Sequence, residues 1–426
     1  MVCRNCKRKN FLKLSNIGYQ PISSIFLKDL KDKEKVKNYS LDLFKCKSCD
    51  LVQLSKIANL KDMYGPDYGY KTSVSKLMIN HLREKFIRFK KLNILRKNSN
   101  ILDIGSNDGT FLNFFVNKKN NLNLYGIDPS ASAFLDSYNK KIKIIIDFFN
   151  QKTAKELFKN KKNTKFSLIT SFAMFYDVED PNSFSKNITN ILDKNGLWAL
   201  EFSYFPLLLK NITYDQICHE HVVYYTLNTF NKIIKKNNLK IIDFSTNEIN
   251  GGSVEVICAK KKSKHKSKNK KINEILKKEK LITQSDYDRF NLRVETSKKN
   301  LLLFLKNQKK SDVIGYGAST KGNVILNYCG VTYKNISYIC DANPSKIGKF
   351  TPGSYINIIS KEKMRKINPK YLLVLIWSFK TEVIKQEKEF IEKGGKLIFP
   401  LPVFHIVDKD NYLKYLKEDF SIFSFT

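Results

Sequence analysis

Two short cysteine pairs lie near the start of the 426-residue chain, Cys3 with Cys6 and Cys46 with Cys49. Each pair has the C-x-x-C spacing, and four thiolates held in one small block suit the tetrahedral coordination of Zn²⁺. Four protein ligands leave no open coordination position, so the pattern predicts a structural zinc site that replaces part of a hydrophobic core. Two redox motifs or unrelated cysteines are the alternative, but both pairs sit in polar Lys, Asn and Ser turns, which favours zinc.

A glycine loop, LDIGSNDGTFL at 102–112, joins a predicted strand to a predicted helix. Gly105 and Gly109 remove side chains where the backbone would approach a ligand. Asp103 and Asp108 would repel the pyrophosphate of a dinucleotide, whereas they suit a cationic ligand such as a sulfonium. The loop therefore favours S-adenosylmethionine over NAD, and an ordinary strand–helix turn with a capping Asp is the alternative.

Two more acidic residues follow the next strands of the same block. Asp128 comes directly after Tyr125-Gly-Ile, at a place where a carboxylate commonly binds the two hydroxyls of a ribose. Asp147 follows the third strand, where it is placed to receive an adenine amino group. Both residues are therefore predicted to contact S-adenosylmethionine.

A His-Glu-His segment at 219–221 follows the strand that ends near Glu201, where parallel sheets place ligands. On an extended segment the two histidines share one face and the glutamate lies opposite. A metal site, acid–base chemistry and structural histidines are the three possibilities. A metal needs a third ligand that the sequence does not place, so the pattern favours acid–base chemistry by His219, Glu220 and His221.

A second glycine loop, Gly315-Tyr-Gly-Ala-Ser-Thr-Lys-Gly322, also joins a strand to a helix. Its free backbone N–H groups and Lys321 suit a phosphate. Walker-A spacing is absent, so ATP hydrolysis is not indicated. The loop either binds a nucleotide diphosphate or belongs to a nucleotide-binding fold that only shapes a cleft, and the sequence leaves both possibilities open.

Short apolar strands alternate with amphipathic helices behind the cysteine block, which predicts parallel sheets covered on both faces. The predicted fold class is α/β, with a small N-terminal zinc-binding module at 1–80, a Rossmann-like methyltransferase domain at 81–262 and a second Rossmann-like domain at 263–426. A helix-like stretch is predicted at about 272–307, and the lysine-rich run at 260–271 is predicted to be a linker or the solvated start of a helix. The predicted strands are 100–104, 122–127, 142–146, 166–170, 197–202, 241–244, 253–258, 312–316, 336–340, 371–376 and 396–399.

The composition is that of a globular protein, with 42% hydrophobic and 12% aromatic residues. The net charge of +36, from 76 Lys and Arg against 40 Asp and Glu, attracts polyanions. However, the lysines are spread along the whole chain, which indicates a compositional bias, and no nucleic-acid partner is predicted. No apolar run approaches the roughly 20 residues that span a bilayer, and the N-terminus lacks the apolar core of a signal peptide. These features predict a cytoplasmic protein without a membrane span.

Together the motifs resemble one family, the nucleotide-sugar C-methyltransferases that make branched deoxysugars. The cysteine pairs are similar to its zinc module, and LDIGSNDGTFL is similar to its methyl-donor loop, with Asn107 in place of the middle glycine of the generic pattern. YDQICHEHVVYY at 214–225 is similar to the signature around its catalytic histidine. GYGASTKGNVILNYCG, DANPSKIGKFTPGSYI and GGKLIFPLP are similar to its C-terminal domain, so the resemblance runs over nearly the whole chain.

The resemblance implies S-adenosylmethionine as methyl donor, a structural zinc ion and a nucleotide-linked 4-keto sugar as acceptor. His221 corresponds to the general base of the family and Glu220 to its assisting carboxylate. Some members have Tyr at the place of Cys218, which leaves the exact sugar open. The C-terminal domain would help to bind the nucleotide-sugar diphosphate. The residues predicted to contact the acceptor are Tyr70, Ser73, Cys218, Tyr224 and Lys321.

The predicted activity is methyl transfer to a carbon next to a ketone, after a histidine has removed a proton from that carbon. Methyl transfer to a sugar hydroxyl or to RNA is one alternative, and a zinc-bearing scaffold without activity is another. The enzyme is predicted to be a monomer or a homodimer. Asp177 and Glu179, which follow the fourth strand, are predicted to cap the next helix rather than to orient the base.

Overall fold

The computed structural model describes residues 1–64, 69–92, 94–116, 121–157 and 165–417. Over these residues the chain forms three β-sheets with helices packed against them, which confirms the predicted α/β class. No helix of the described residues is long and apolar enough to cross a membrane.

The strands are numbered along the chain. They are β1 (Phe11–Pro21), β2 (Asn38–Cys46), β3 (Val52–Leu54), β4 (Asn100–Ile104), β5 (Asn123–Ile127), β6 (Ile142–Ile145), β7 (Phe166–Phe172), β8 (Leu192–Ser203), β9 (Val223–Tyr224), β10 (Leu239–Asn247), β11 (Ser253–Lys260), β12 (Val313–Tyr316), β13 (Ile339–Asp341), β14 (Ile358–Ser360), β15 (Tyr371–Val374), β16 (Lys396–Phe399) and β17 (His405–Val407).

The α-helices are numbered in the same way. They are α1 (Leu60–Met63), α2 (Lys76–Lys91), α3 (Thr110–Asn113), α4 (Gln151–Glu156), α5 (Pro181–Ile191), α6 (Phe205–Lys210), α7 (Leu227–Lys236), α8 (Asn269–Glu279), α9 (Gln284–Lys306), α10 (Thr320–Cys329), α11 (Lys361–Ile367), α12 (Lys380–Gln386), α13 (Lys388–Glu392) and α14 (Tyr412–Lys417).

The central sheet has the strand order β6-β5-β4-β7-β8-β11-β10, in which the first five strands are parallel and β11 is antiparallel to both neighbours. Its faces are buried on both sides, because Ile101 packs into one apolar cluster while Leu102 and Ile104 pack into another. This alternation follows from the pleat of a strand. The carboxyl ends of the five parallel strands meet at one edge, where α/β sheets bind ligands.

The C-terminal sheet has the strand order β14-β13-β12-β15-β16-β17, parallel except for β17. The N-terminal sheet has the order β1-β2-β3-β9, all antiparallel. Its last strand, β9, comes from the segment that follows the His-Glu-His motif. The N-terminal sheet is therefore completed by residues that lie far along the chain.

Every predicted strand is present, with ends that differ by a few residues, and the helix-like stretch predicted at about 272–307 is helical but interrupted. Two helices, α8 and α9, occupy that stretch. Thr283 begins α9 with a capping box, since its backbone N–H and hydroxyl both bind the Asp286 carboxylate. Strands β1, β2, β3, β9, β14 and β17 were not predicted, because their sequences mix polar and apolar residues or are only a few residues long.

Candidate active site

The two cysteine pairs come together at one end of the N-terminal sheet. The Sγ atoms of Cys3 and Cys49 are 3.5 Å apart, as are those of Cys6 and Cys46, and all four lie within 4.8 Å of one another. Thiolates bound to one Zn²⁺ at about 2.3 Å would be separated by roughly 3.8 Å, so the four atoms fit a tetrahedral zinc ion.

Each pair is shaped by the same turn, which explains why the spacing works. Lys7 and Asp50 each follow the second cysteine of a pair and adopt positive φ, 63° and 66°. Their backbone N–H groups donate to the carbonyls of Cys3 and Cys46. The contact with Cys49 lowers the pKa of Cys3 to about 5, whereas the same contact raises the pKa of Cys49. Of this pair, Cys3 therefore forms the thiolate more readily, which is the form that binds a metal.

The first glycine loop turns sharply at the end of β4. Gly105, Asn107 and Gly109 all have positive φ, between 50° and 76°. A Cβ atom at Gly109 would lie 2.6 Å from the Tyr138 ring, and one at Gly105 would lie 2.9 Å from Met174. Both glycines are therefore needed by the close packing of the loop as well as by its conformation.

A cavity of about 340 Å³ opens beside this loop at the carboxyl edge of the central sheet. Among the described residues that line it there is no Lys, Arg or His, although the chain carries a net charge of +36. Seven carboxylate side chains line it: Asp103, Asp128, Asp147, Asp177, Glu179, Asp180 and Glu201. Such a lining suits a cationic ligand and disfavours a phosphate. We call this space the donor cavity.

Burial sets the charge of the two acids nearest the loop. The Thr170 hydroxyl donates to Asp103 at 2.6 Å, yet burial raises the pKa of Asp103 to about 7. Burial also raises the pKa of Asp128, whose carboxylate accepts from the backbone N–H groups of Asn107 and Ser130. A cation placed in the cavity would favour the ionised form of both acids.

The predicted donor-binding residues divide into two sets in the structure. Asp108 and Gly109 do not line the donor cavity. The cavity is lined by the other five: Asp103, Gly105, Asn107, Asp128 and Asp147. Asp108 accepts bonds from the Thr110 hydroxyl and backbone N–H. It therefore shapes the start of α3.

The segment 70–73 lies across the same loop. The side-chain oxygen of Asn107 accepts from the Thr72 backbone N–H and hydroxyl, and its amide donates to the Tyr70 carbonyl. Asp108 accepts from the Ser73 backbone N–H at 2.9 Å. Of the two residues of this segment that were predicted to contact the acceptor, Tyr70 lines the donor cavity, whereas Ser73 is exposed and does not line it.

The two histidines of the His-Glu-His motif have different surroundings. Nε2 of His219 lies 3.2 Å from the Gln20 carbonyl, and Nδ1 lies 3.4 Å from the Ser23 hydroxyl. Burial lowers the pKa of His219 to about 4. Both ring nitrogens are thus engaged with the N-terminal module, so the structure places His219 at a domain contact.

Glu220 and His221 carry buried polar atoms without partners. Nδ1 of His221 and both carboxylate oxygens of Glu220 have no hydrogen-bond partner within the described part of the chain. Burial lowers the pKa of His221 to about 3, with a smaller contribution from Lys321, so its imidazole is neutral. Burial raises the pKa of Glu220, which Lys321 opposes. Buried polar atoms without a protein partner are exceptions in folded proteins, and a catalytic role or a bound molecule is among their explanations.

His221 does not line the donor cavity but lies next to its wall. Its ring packs on Tyr176 with 4.0 Å between centroids, and Val222 donates to the Tyr176 carbonyl. Met174 and Asp177, on either side of Tyr176 in the chain, do line the cavity. One short turn therefore lies between the donor cavity and the His-Glu-His segment.

The remaining predicted acceptor residues lie around that segment. Lys321 belongs to the second glycine loop, and its ammonium donates to the Asn250 side chain at 2.8 Å. It also interacts electrostatically with Asp215 and Glu220. Cys218 is buried and accepts the His221 backbone N–H at its carbonyl. Tyr224 is buried in the apolar core, in β9, with its hydroxyl 3.3 Å from the Gln216 carbonyl.

The backbone of the second glycine loop is hydrogen-bonded to side chains of the C-terminal domain. Asp341 accepts the Ala318 backbone N–H at 2.7 Å, and Lys346 donates to the Ala318 carbonyl at the same distance. The Lys346 ammonium also lies 4.9 Å over the ring of Phe26 from the N-terminal module. Part of the backbone that was predicted to suit a phosphate is thus already bonded.

An ion cluster that was not predicted from the sequence borders the donor cavity. Glu201 lines the cavity and accepts from His81 and Lys85, and Lys85 also binds Glu255. Burial alone would raise the pKa of Glu201, but Lys85 and His81 lower it to about 2. The i, i+4 spacing of His81 and Lys85 on α2 was the available signal, but their partners are more than 100 residues away.

Three family models match successive parts of the chain. Residues 3–64 match a zinc binding domain family, residues 78–243 a methyltransferase domain family, and residues 248–402 the C-methyltransferase C-terminal domain family. C-methyltransferase NovU from Streptomyces niveus is 27% identical over 417 residues, which are 96% of this chain and 98% of NovU.

Two solved methyltransferase structures each match less than half of the chain. An S-adenosylmethionine-dependent methyltransferase from Clostridium acetobutylicum is 16% identical with a TM-score of 0.32, over 42% of this chain and 91% of its own. Magnesium protoporphyrin IX methyltransferase from Synechocystis, solved with bound SAH, is 10% identical with a TM-score of 0.32, over 43% and 82%.

Proposed function

We propose, for a chain that belongs to the S-adenosylmethionine-dependent C-methyltransferases, that the acceptor is a nucleotide-linked 4-keto sugar and that His221 is the general base. The observation that carries this proposal is the pair of buried, unpartnered groups on His221 and Glu220 beside the wall of the donor cavity. Both substrates are metabolites of the cytoplasm, so we place the enzyme there.

The donor cavity supports the choice of methyl donor. S-adenosylmethionine carries a sulfonium and an ammonium, and it supplies an electrophilic methyl group when bound. Asp103, Asp128 and Asp147 would hold the donor, because they line a cavity with no basic side chain among its described residues. Once the methyl group has left, the sulfur is neutral, so the same carboxylates bind the product less strongly than the donor.

The neutral ring of His221 supports its role as base. The backbone of Gln216 is hydrogen-bonded to the ring and raises the pKa of His221, which partly opposes the effect of burial. The unpartnered Nδ1 is the nitrogen we assign as the proton acceptor. A C–H bond next to a ketone breaks, its proton moves to Nδ1, and the electron pair forms an enolate whose carbon then takes the methyl group.

Glu220 supports the same proton transfer to His221. Its two unpartnered oxygens lie within electrostatic reach of Lys321, which stabilises the carboxylate. An ionised Glu220 favours the imidazolium that forms when His221 takes a proton. The Ser24 hydroxyl also faces Glu220 and lowers its pKa, so the N-terminal module contributes to this site.

The acceptor is tested by methyl transfer with defined sugars. The full-length chain is incubated with S-adenosylmethionine and with nucleotide-linked sugars that do or do not carry a 4-keto group, and products are read by mass spectrometry and NMR. We expect a new C–CH₃ group on keto sugars only. A methyl group on a hydroxyl oxygen, or equal turnover of sugars without a ketone, would contradict the proposal.

A further inference from the structure

Asp177 reaches both the donor cavity and the His-Glu-His segment. It belongs to the single 3-10 turn Phe175–Asp177, lines the donor cavity and acts electrostatically on Glu220. Its neighbour Tyr176 packs on the His221 ring at 4.0 Å. Asp177 therefore belongs to the turn that lies between the donor cavity and the proposed base.

The two oxygens of Asp177 are not equivalent. Oδ2 accepts the Tyr64 hydroxyl at 2.8 Å, which fixes the carboxyl plane from the side of the N-terminal module. Oδ1 is buried and has no partner among the described residues. A buried carboxyl oxygen without a partner is uncommon, and beside a ligand cavity it indicates a contact that the ligand completes.

Helix capping does not account for Asp177. The N-cap of α5 is Asp180, whose side chain accepts from the backbone N–H groups of Asn182 and Ser183. The sequence-based expectation that Asp177 caps this helix is therefore wrong. Its unpartnered oxygen is left without a structural role in the fold.

The surroundings of Asp177 favour its neutral form. Burial raises the pKa of Asp177 well above its ordinary value, and Glu220 raises it further. Lys321 stabilises the charge of Glu220. Burial and the neighbouring Glu220 both favour the neutral form of Asp177, whereas Ser24 and Lys321 oppose the rise in the pKa of Glu220. The titratable groups that face Asp177 are Tyr64, Cys218, Glu220, Tyr224 and Tyr225.

We propose that the carboxyl group of Asp177 contacts the acceptor, donating a hydrogen bond from Oδ1 to the carbonyl oxygen that becomes the enolate oxygen. This inference rests on the proposed function. When His221 takes the proton from carbon, negative charge develops on that oxygen, and a donor already fixed by Tyr64 stabilises it without reorganisation. The Asp177 proton stays on Oδ1 throughout, so no further reactant is needed.

Three variants test this role in the full-length enzyme. Asp177→Ala removes the donor, Asp177→Asn keeps an N–H donor that does not titrate, and Glu156→Gln changes an exposed carboxylate of the same domain. We expect kcat to fall by about 10²–10³ in the alanine variant, less in the asparagine variant, and not in the control. Wild-type kcat should also decline at alkaline pH, where the asparagine variant keeps a flat profile.

Donor affinity separates a neutral Asp177 from a charged one. Calorimetry with S-adenosylmethionine and with SAH should show the same small change for both ligands in Asp177→Asn. A selective loss of affinity for the sulfonium compound would overturn the proposal, because it would mean that Asp177 is an anion that binds the donor. Wild-type kcat and pH profile in both Asp177 variants would also overturn it. If the wild-type enzyme turned over no keto sugar, the proposed function would be wrong instead.

Discussion

At the residue scale, the donor cavity is defined by a local charge that opposes the charge of the whole chain. Seven carboxylates line it, while the chain as a whole carries +36. Long-range attraction of polyanions by surface lysines is therefore separate from recognition inside the cavity, where burial makes each charge count for more. For Asp103, burial should have a measurable effect near neutral pH, because it raises the pKa of this acid to about 7.

Donor affinity should rise with pH because of Asp103. Burial raises the pKa of Asp103 to about 7, and a cationic donor favours the ionised form. From about pH 6 to about pH 8 the ionised fraction changes by roughly tenfold, so the affinity for S-adenosylmethionine should rise by up to that factor. Calorimetric titration of wild type and Asp103→Asn measures it, and the variant should bind more weakly with a flatter dependence on pH.

The same group gives a stability prediction of opposite sign. Because the folded pKa of Asp103 is raised, the donor-free folded state holds a proton that the unfolded chain has lost. The contribution of Asp103 to the free energy of unfolding is therefore full below about pH 4 and is lost as the pH rises through about 7. Urea unfolding at several pH values should show a shallower decline in Asp103→Asn, and an unchanged decline would contradict this.

At the element scale, α2 is fixed to the central sheet by apolar packing and by buried charges. Leu82, Phe86 and Phe89 pack into the apolar cluster on one face of the sheet. Lys85 lies between Glu201 and Glu255, at 2.8 and 3.0 Å, with each side chain no more than 4% exposed. The arrangement holds a charged Glu201 at the donor cavity.

Removing the cation of this cluster should be costly. Lys85→Met leaves two buried carboxylates with fewer partners, and we expect the free energy of unfolding to fall by about 3 kcal/mol. Lys90→Met changes an exposed residue of the same helix, and its effect should stay within about 0.5 kcal/mol. Scanning calorimetry compares the two, and equal melting temperatures would show that the cluster contributes little to stability.

The order of the elements was largely predictable from the sequence, whereas their contacts were not. Apolar runs predicted the parallel strands of both sheets except β14, because a strand buried on both faces is apolar throughout. Asn107 and Asp108 were predicted to contact the donor, but the sequence did not indicate that their side chains also bind segment 70–73, 35 residues earlier in the chain. A local pattern carries no information about such a partner.

At the scale of the whole molecule, the three parts of the chain meet at the proposed acceptor site. Ser23 and Ser24 come from the N-terminal module, the His-Glu-His segment from the central domain and Lys321 from the C-terminal domain. Asn323 of α10 also donates to the Ser23 carbonyl at 2.7 Å. The zinc cluster therefore supports a module that helps to build the site, although it lies outside that site.

Loss of zinc should lower turnover more than donor affinity. Cys46→Ser weakens one corner of the cluster at the end of β2, and the N-terminal sheet also holds β9 beside the His-Glu-His segment. Cys258→Ser, a buried cysteine outside the cluster, is the matched control. Metal content by mass spectrometry, kcat, and calorimetric affinity for SAH are measured together. Equal kcat in zinc-free and zinc-loaded enzyme would contradict this coupling.

The most direct test of the account is hydrogen exchange at the acceptor carbon. The full-length enzyme is incubated in D₂O with SAH and a nucleotide-linked 4-keto sugar, and deuterium at the carbon next to the ketone is followed by NMR. Wild type should catalyse the exchange, whereas His221→Asn should lose it by about 10²–10⁴ with unchanged affinity for SAH, because His221 does not line the donor cavity. Exchange at the wild-type rate in that variant would contradict the assignment of His221 as the base.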